Sequence, residues 1–120
     1  MAKPISPTLH GVIDYLAVPL LLAAGPLFGF NGFPAETTST LAGIVLVYAA
    51  FTAYPPGLVK MIPFKVHLLI DAVLGIGLIA SPFVLHFNDD ARACYFFVGF
   101  GVLVLLIALL TERNSNVQHA

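Results

Sequence analysis

Four long apolar runs, broken only by short turn-rich segments, leave this chain few ways to fold. The runs cover residues 9–30, about 38–54, 66–87 and about 93–111. Asn31-Gly32-Phe33-Pro34 ends the first, Pro55-Pro56-Gly57 the second, Asn88-Asp89-Asp90 the third and Glu112-Arg113-Asn114 the fourth. A helix rises about 1.5 Å per residue, so about 20 residues cross the hydrocarbon core of a bilayer. The first and third runs meet that length; the second is the shortest, its start open between Pro34 and Thr38. None alternates polar with apolar residues as a strand would, and a strand in lipid would need a closed barrel. Charged residues make up only 9% of the chain, against about 25% in soluble domains. So few charges cannot cover a water-soluble globule. The expectation is an all-α membrane protein, residues 1–120 forming one domain of four transmembrane helices.

Local signals agree. Ser6 followed by Pro7 reads as an N-cap with proline at the first helical position. Asp89 or Asp90 suits the start of the fourth helix, and Pro34 and Pro63 suit the starts of the second and third. Pro19 falls mid-span and should kink the first helix. The run after Pro7 is too long for the apolar part of a signal peptide and right for a span. The polar tail from Asn114 is expected to fray. The single cysteine, Cys94, permits no intrachain disulfide and reads as a small apolar filler. A net charge of −1 without a basic stripe argues against nucleic acid as a partner.

Basic residues set the orientation. Lys3, Lys60, Lys65 and Arg113 fall on the side shared by both termini and the central loop, and only Arg92 falls on the other. That asymmetry predicts an inner (plasma) membrane protein with both termini cytoplasmic.

The chain also resembles itself at a spacing of 57 residues. His10 falls on His67, Ile13 on Ile70, Asp14 on Asp71, Leu21 on Leu78, Ala23 on Ala80 and Phe30 on Phe87. Val45-Leu46-Val47 falls on Val102-Leu103-Val104. Polar residues are scarce here, so the matched His-x-x-x-Asp pairs carry more weight than the leucines. Each repeat (about 5–57 and about 62–114) is then one helical hairpin, and two spans per hairpin make the repeats parallel. The first and third helices should meet near the pseudo-axis.

On these residues the chain resembles the SPW-repeat family of small bacterial membrane proteins. The third helix carries the likeness, from His67 and Asp71 through Gly75 to Ser81-Pro82-Phe83, with phenylalanine where the family name has tryptophan. The first helix holds a weaker copy, His10-Gly-Val-Ile-Asp14-Tyr ending in Gly25-Pro26-Leu27-Phe28-Gly29-Phe30. The chain has no tryptophan at all. The resemblance implies two helical hairpins in a membrane, and it implies no reaction. A proline that ends the helix beside an aromatic anchor explains the Ser-Pro-aromatic element structurally.

His10, Asp14, His67 and Asp71 are the intramembrane residues that need an account. Residues four apart share a helix face, and a charge within a span is costly unless paired. Each aspartate could accept a hydrogen bond from its own histidine or from the other hairpin, locking the first and third helices together. Alternatively, His10 and His67 bind a cofactor, a haem or a metal ion, each imidazole oriented by its aspartate. A small-solute or proton transporter or channel, assembled as an oligomer, is the third reading. Gly75, Gly77, Gly99 and Gly101 should permit close helix packing, and Tyr54 should anchor at the interface. His86 should face the interface and not a metal. Ser81 has no evident base, and no catalytic machinery is identifiable. The expected partners are the lipid bilayer and either further copies of the chain or a larger membrane complex.

Overall fold

The computed structural model describes residues 3–113; the tail from Asn114 lies outside them. Its helices are α1 (Pro7–Phe28), α2 (Phe33–Ala50), α3 (Phe64–Val84) and α4 (Ala91–Leu110). No strand accompanies them among the described residues, and the whole measures 48 × 27 × 20 Å. α1, α3 and α4 are each long and apolar enough to cross a membrane. α2 has 18 residues and opens with the polar stretch Glu36-Thr37-Thr38-Ser39-Thr40.

The caps explain the boundaries. Ser6 Oγ accepts from Leu9 N at 3.1 Å, which satisfies one of the free amides of the first turn. Asp90, not Asp89, caps α4 by accepting from Ala93 N at 3.2 Å. Pro34 sits in the first turn of α2, and Pro63 is the residue before α3. α1 continues as one helix through Pro19 and Pro26.

The second helix is shorter at its end than its hydropathy suggests. It stops at Ala50, and Thr52 N turns back to Ala49 O at 3.2 Å. Tyr54 is therefore a loop residue. It is also fully buried, so it is no interfacial anchor.

The repeat is visible in the backbone. At the end of α1, Phe30 N bonds Gly25 O at 2.9 Å; at the end of α3, Phe87 N bonds Pro82 O at 2.8 Å. Gly29 (φ 80°) and His86 (φ 62°) occupy the matching left-handed positions of these two caps. Glycine adopts that conformation freely, whereas a residue with a Cβ is strained by it. His86 is thus an exposed helix-terminating residue, consistent with its expected place at the interface. Phe30 and Phe87 turn inward and pack with Ala24, Leu78, Ala93 and Phe97 in one core cluster at this end.

Packing is heaviest inside each hairpin, α1 on α2 and α3 on α4, with a lighter contact between α1 and α4. Gly75 and Gly101 face each other: a Cβ on Gly75 would lie 2.8 Å from Gly101 O, and one on Gly101 would lie 2.7 Å from Gly75 O. Gly77 and Gly99 take no part, since a Cβ on either would meet open space. Much of the remaining apolar surface points outward, including Leu16, Leu69 and Val73. In lipid that exposure carries no penalty.

Two outcomes follow for thermal denaturation in detergent micelles. Gly75→Val and Gly101→Val should each destabilise by about 1–3 kcal/mol or more through overpacking, while Gly77→Ala and Gly99→Ala should be tolerated. His86→Gly should stabilise by about 1 kcal/mol by relieving the left-handed backbone; an unchanged melting temperature would contradict that strain.

Candidate functional site

His10 and Asp14 lie one turn apart on α1, and His67 and Asp71 occupy the same places on α3. The structure brings all four together. His10 Nε2 lies 2.8 Å from Asp71 Oδ2, and His67 Nε2 lies 3.0 Å from Asp14 Oδ2, so each histidine reaches the aspartate of the other hairpin. Within a helix, His10 stands 3.5 Å from Asp14, clearly farther, whereas His67 stands 3.1 Å from Asp71, as near as it is to Asp14. Both imidazoles and Asp71 are buried, and Asp14 is half-buried. The first and third helices thus meet through these side chains rather than through a packed helix face.

A second layer fixes the histidines. Thr111 Oγ1, just past α4, lies 2.9 Å from His10 Nδ1. Thr52 Oγ1, just past α2, lies 2.7 Å from His67 Nδ1. Each threonine donates its only hydroxyl hydrogen to the carbonyl four residues back, Ile107 O at 2.5 Å and Tyr48 O at 2.7 Å. Each hydroxyl oxygen must then accept from Nδ1–H, so both imidazoles present Nε2 to the carboxylates. The backbone repeats the arrangement, with isolated bridges pairing Ile5 with Thr111 and Thr52 with Ile62. The end of each hairpin is therefore joined to the start of the other.

The loop between the hairpins covers the site. Tyr54 donates its hydroxyl to Asp14 Oδ2 at 3.0 Å. Burial and the nearby Asp14 carboxylate raise this phenol well above its usual range, which keeps it a donor. Phe64 is fully buried and packs edge-on against His10 with ring centroids 5.6 Å apart. Tyr48 stacks on His67 at 4.2 Å and donates to its backbone carbonyl at 2.8 Å. Lys60 Nζ holds the loop by donating to Tyr54 O and Gly57 O at 3.1 and 2.6 Å. Gly11 lets Pro56 settle against α1, since a Cβ there would lie 2.5 Å from the proline ring.

On its inner side the cluster borders a cavity of about 200 Å³ between the four helices. Ile13, Leu20, Leu74, Phe100 and Val104 are among the residues that line it. Ser81 donates to Gly77 O at 2.6 Å, and Cys94 is a partly buried free thiol near the start of α4.

Thr52, Thr111 and Phe64 were not among the residues singled out from the sequence, and Tyr54 was singled out only as an interfacial anchor. The threonines correspond at a spacing of 59 residues, not 57. The turn between α3 and α4 (85–90) is longer than that between α1 and α2 (29–32), so the register drifts past it. A search for polar residues closing each second helix would have found them.

Paired hairpins joined through a buried His/Asp cluster define a small helical membrane protein of repeat architecture. The chain belongs to the SPW family: the model of the SPW repeat domain matches residues 8–111. The curated proteins and the solved structures yielded no match. The motif sits where the family resemblance placed it, with Pro82 buried and its carbonyl receiving the Phe87 amide. Phe83, in the tryptophan position, points outward at 53% exposure.

Tyr54→Phe removes the hydroxyl that serves Asp14 while keeping the ring. It should lower stability by about 1.5–3 kcal/mol, the scale for a hydrogen bond to a charged group, when melting is followed by circular dichroism. Tyr15→Phe, whose hydroxyl bonds only Pro56 O at 3.0 Å, should cost less.

Proposed function

We propose that this protein is a small accessory component of the bacterial inner membrane, in which His10, Asp14, His67 and Asp71 clasp two hairpins into one unit. The observation that carries the reading is the crossed pairing: His10 bonds the other hairpin's Asp71 at 2.8 Å and stands 3.5 Å from its own Asp14, while His67 touches the carboxylates of both hairpins. A protein that only needed to neutralise its aspartates could do so within each helix. Crossed pairing makes each hairpin complete the other.

In this reading all four helices span the bilayer. α2 crosses as the partner of α1, its polar first turns lying near the outer headgroups. At the clasp end, Lys3 Nζ reaches Leu109 O at 3.2 Å and Lys60 holds the covering loop, with Lys65 at the start of α3 and Arg113 just past α4, while Arg92 packs beside Gly29 at the other end. That segregation supports cytoplasmic placement of both termini and of the clasp. The exposed apolar helix faces meet lipid and further copies of the chain or a larger membrane complex. The cluster suits a small occupant better than a haem, because the carboxylates stand where a porphyrin between the two imidazoles would have to pass.

A double-mutant cycle tests the clasp. His10→Ala and Asp71→Asn should each cost about 1–3 kcal/mol, and the pair should show a coupling of about 0.5–3 kcal/mol. Additive losses would mean that the hairpins do not depend on this contact. For topology, in a Cys94→Ala background, Lys60→Cys should react with an impermeant thiol reagent only from the cytoplasmic side and Asp89→Cys only from the outside. The reverse pattern would overturn the orientation.

A further inference from the structure

We infer that His10, Asp14, His67 and Asp71 bind one divalent metal ion of tetrahedral preference, zinc above all, between the two hairpins; the inference rests on the clasp reading and names what the clasp holds. One ligand atom from each residue lies within 4.8 Å of every other. The four nitrogen–oxygen separations run from 2.8 to 3.5 Å. Bonds of about 2.0–2.1 Å from zinc to imidazole nitrogen and carboxylate oxygen give a tetrahedron with edges of about 3.3–3.4 Å. The four nitrogen–oxygen separations bracket those edges, and the 4.8 Å limit on the whole set leaves only a small closure for the side chains to make.

The chemistry of the donors agrees with the distances. Thr52 and Thr111 hold the two Nδ1–H groups, which leaves Nε2 as the free nitrogen of each ring. Metal-binding histidines are oriented in this manner, the far N–H donated to an oxygen and the near nitrogen aimed at the ion. A carboxylate about 3 Å from Nε2 calls for a cation between the two atoms, a proton in the bare clasp and a metal ion in the filled one.

A second, independent feature points into the site. His67 is fully buried, yet its Nε2 makes no well-formed hydrogen bond although two carboxylate oxygens lie 3.0 and 3.1 Å away. Both oxygens lie off the axis of the ring nitrogen. In a tetrahedral site that axis points at the ion, and the neighbouring ligands flank it.

Charge and ligand type select the ion. Two carboxylates balance one dication, so the filled site is neutral, as burial in a low-dielectric bundle requires. Two imidazoles among four ligands disfavour calcium and magnesium, which take mainly oxygen, and favour zinc or a similar first-row ion. Each hairpin supplies one histidine and one aspartate, so the ion is shared equally between the repeats.

Cobalt(II) is the probe, because it takes zinc sites and a tetrahedral ligand field gives it intense visible bands. The full-length protein, purified in detergent and stripped with chelator, is titrated with cobalt(II) and then with zinc(II). The expected result is one cobalt per chain with tetrahedral bands, abolished by an equivalent of zinc. His67→Gln and Asp71→Asn should remove the bands. Thr52→Val and Thr111→Val keep all four ligands, and each should weaken binding by about 10–100-fold. Wild-type protein that is helical and monodisperse but gives no such bands overturns the inference, as do bands that persist in both ligand variants. The threonine variants keep the test decisive should a ligand variant fail to fold. If no metal binds while the His10/Asp71 cycle still shows coupling, the clasp stands as an ion-paired cluster and only the metal falls. If the coupling is also absent, both readings fall.

Discussion

A charge inside a membrane bundle must find its partner within the protein, because lipid offers none. That constraint organises the rest of this fold. Two aspartates in an apolar helix pair would each be costly alone, and here each is answered by a histidine from the opposite repeat. The clasp therefore does more than neutralise charge. In the proposed clasp, the two histidines take their orienting threonines, and His10 its nearest carboxylate, from the opposite hairpin. The covering loop follows from the same need: Tyr54 supplies a donor to Asp14, and Phe64 and Tyr48 exclude water around the imidazoles.

Away from the clasp the forces are different. Within the second hairpin, Gly75 and Gly101 bring the backbones of α3 and α4 into close van der Waals contact where they face each other. Between hairpins an apolar cavity takes the place of tight packing on the inner side of the clasp. Hydrophobicity cannot bring membrane helices together, since lipid is as apolar as leucine. A polar contact at one end and a phenylalanine cluster at the other can fix two hairpins with a loosely filled middle.

The elements were legible because each rests on a local rule. Runs of apolar residues long enough to span, stopped by proline, asparagine and aspartate, place helices to within a few residues of their observed ends. The four charged and imidazole groups stood out because so few polar residues compete with them. The end of α2 was not legible, since Phe51 and Tyr54 are as apolar as the helix before them. Only the fold shows that this stretch turns back to roof the site. The glycines divided in a manner no sequence pattern discloses: Gly75 and Gly101 face a helix, whereas Gly77 and Gly99 do not. The threonines escaped because a repeat read at one fixed spacing loses register when one turn is longer than its counterpart.

The two threonines also explain why duplication matters. A single hairpin carries one histidine, one aspartate and one threonine, but its threonine lies past the end of its second helix and serves the histidine that opens the other hairpin. The exchange runs both ways, Thr52 to His67 and Thr111 to His10. A lone hairpin would leave its histidine without an orienting acceptor and its aspartate with only the weaker partner on its own helix. Two copies close the circuit, with both Nδ1–H groups held and both Nε2 atoms turned inward beside two carboxylates. The centre is thus a property of the pair. A change in one repeat would reach the other, because both threonine–histidine contacts and the 2.8 Å His10–Asp71 contact join residues from different halves of the chain.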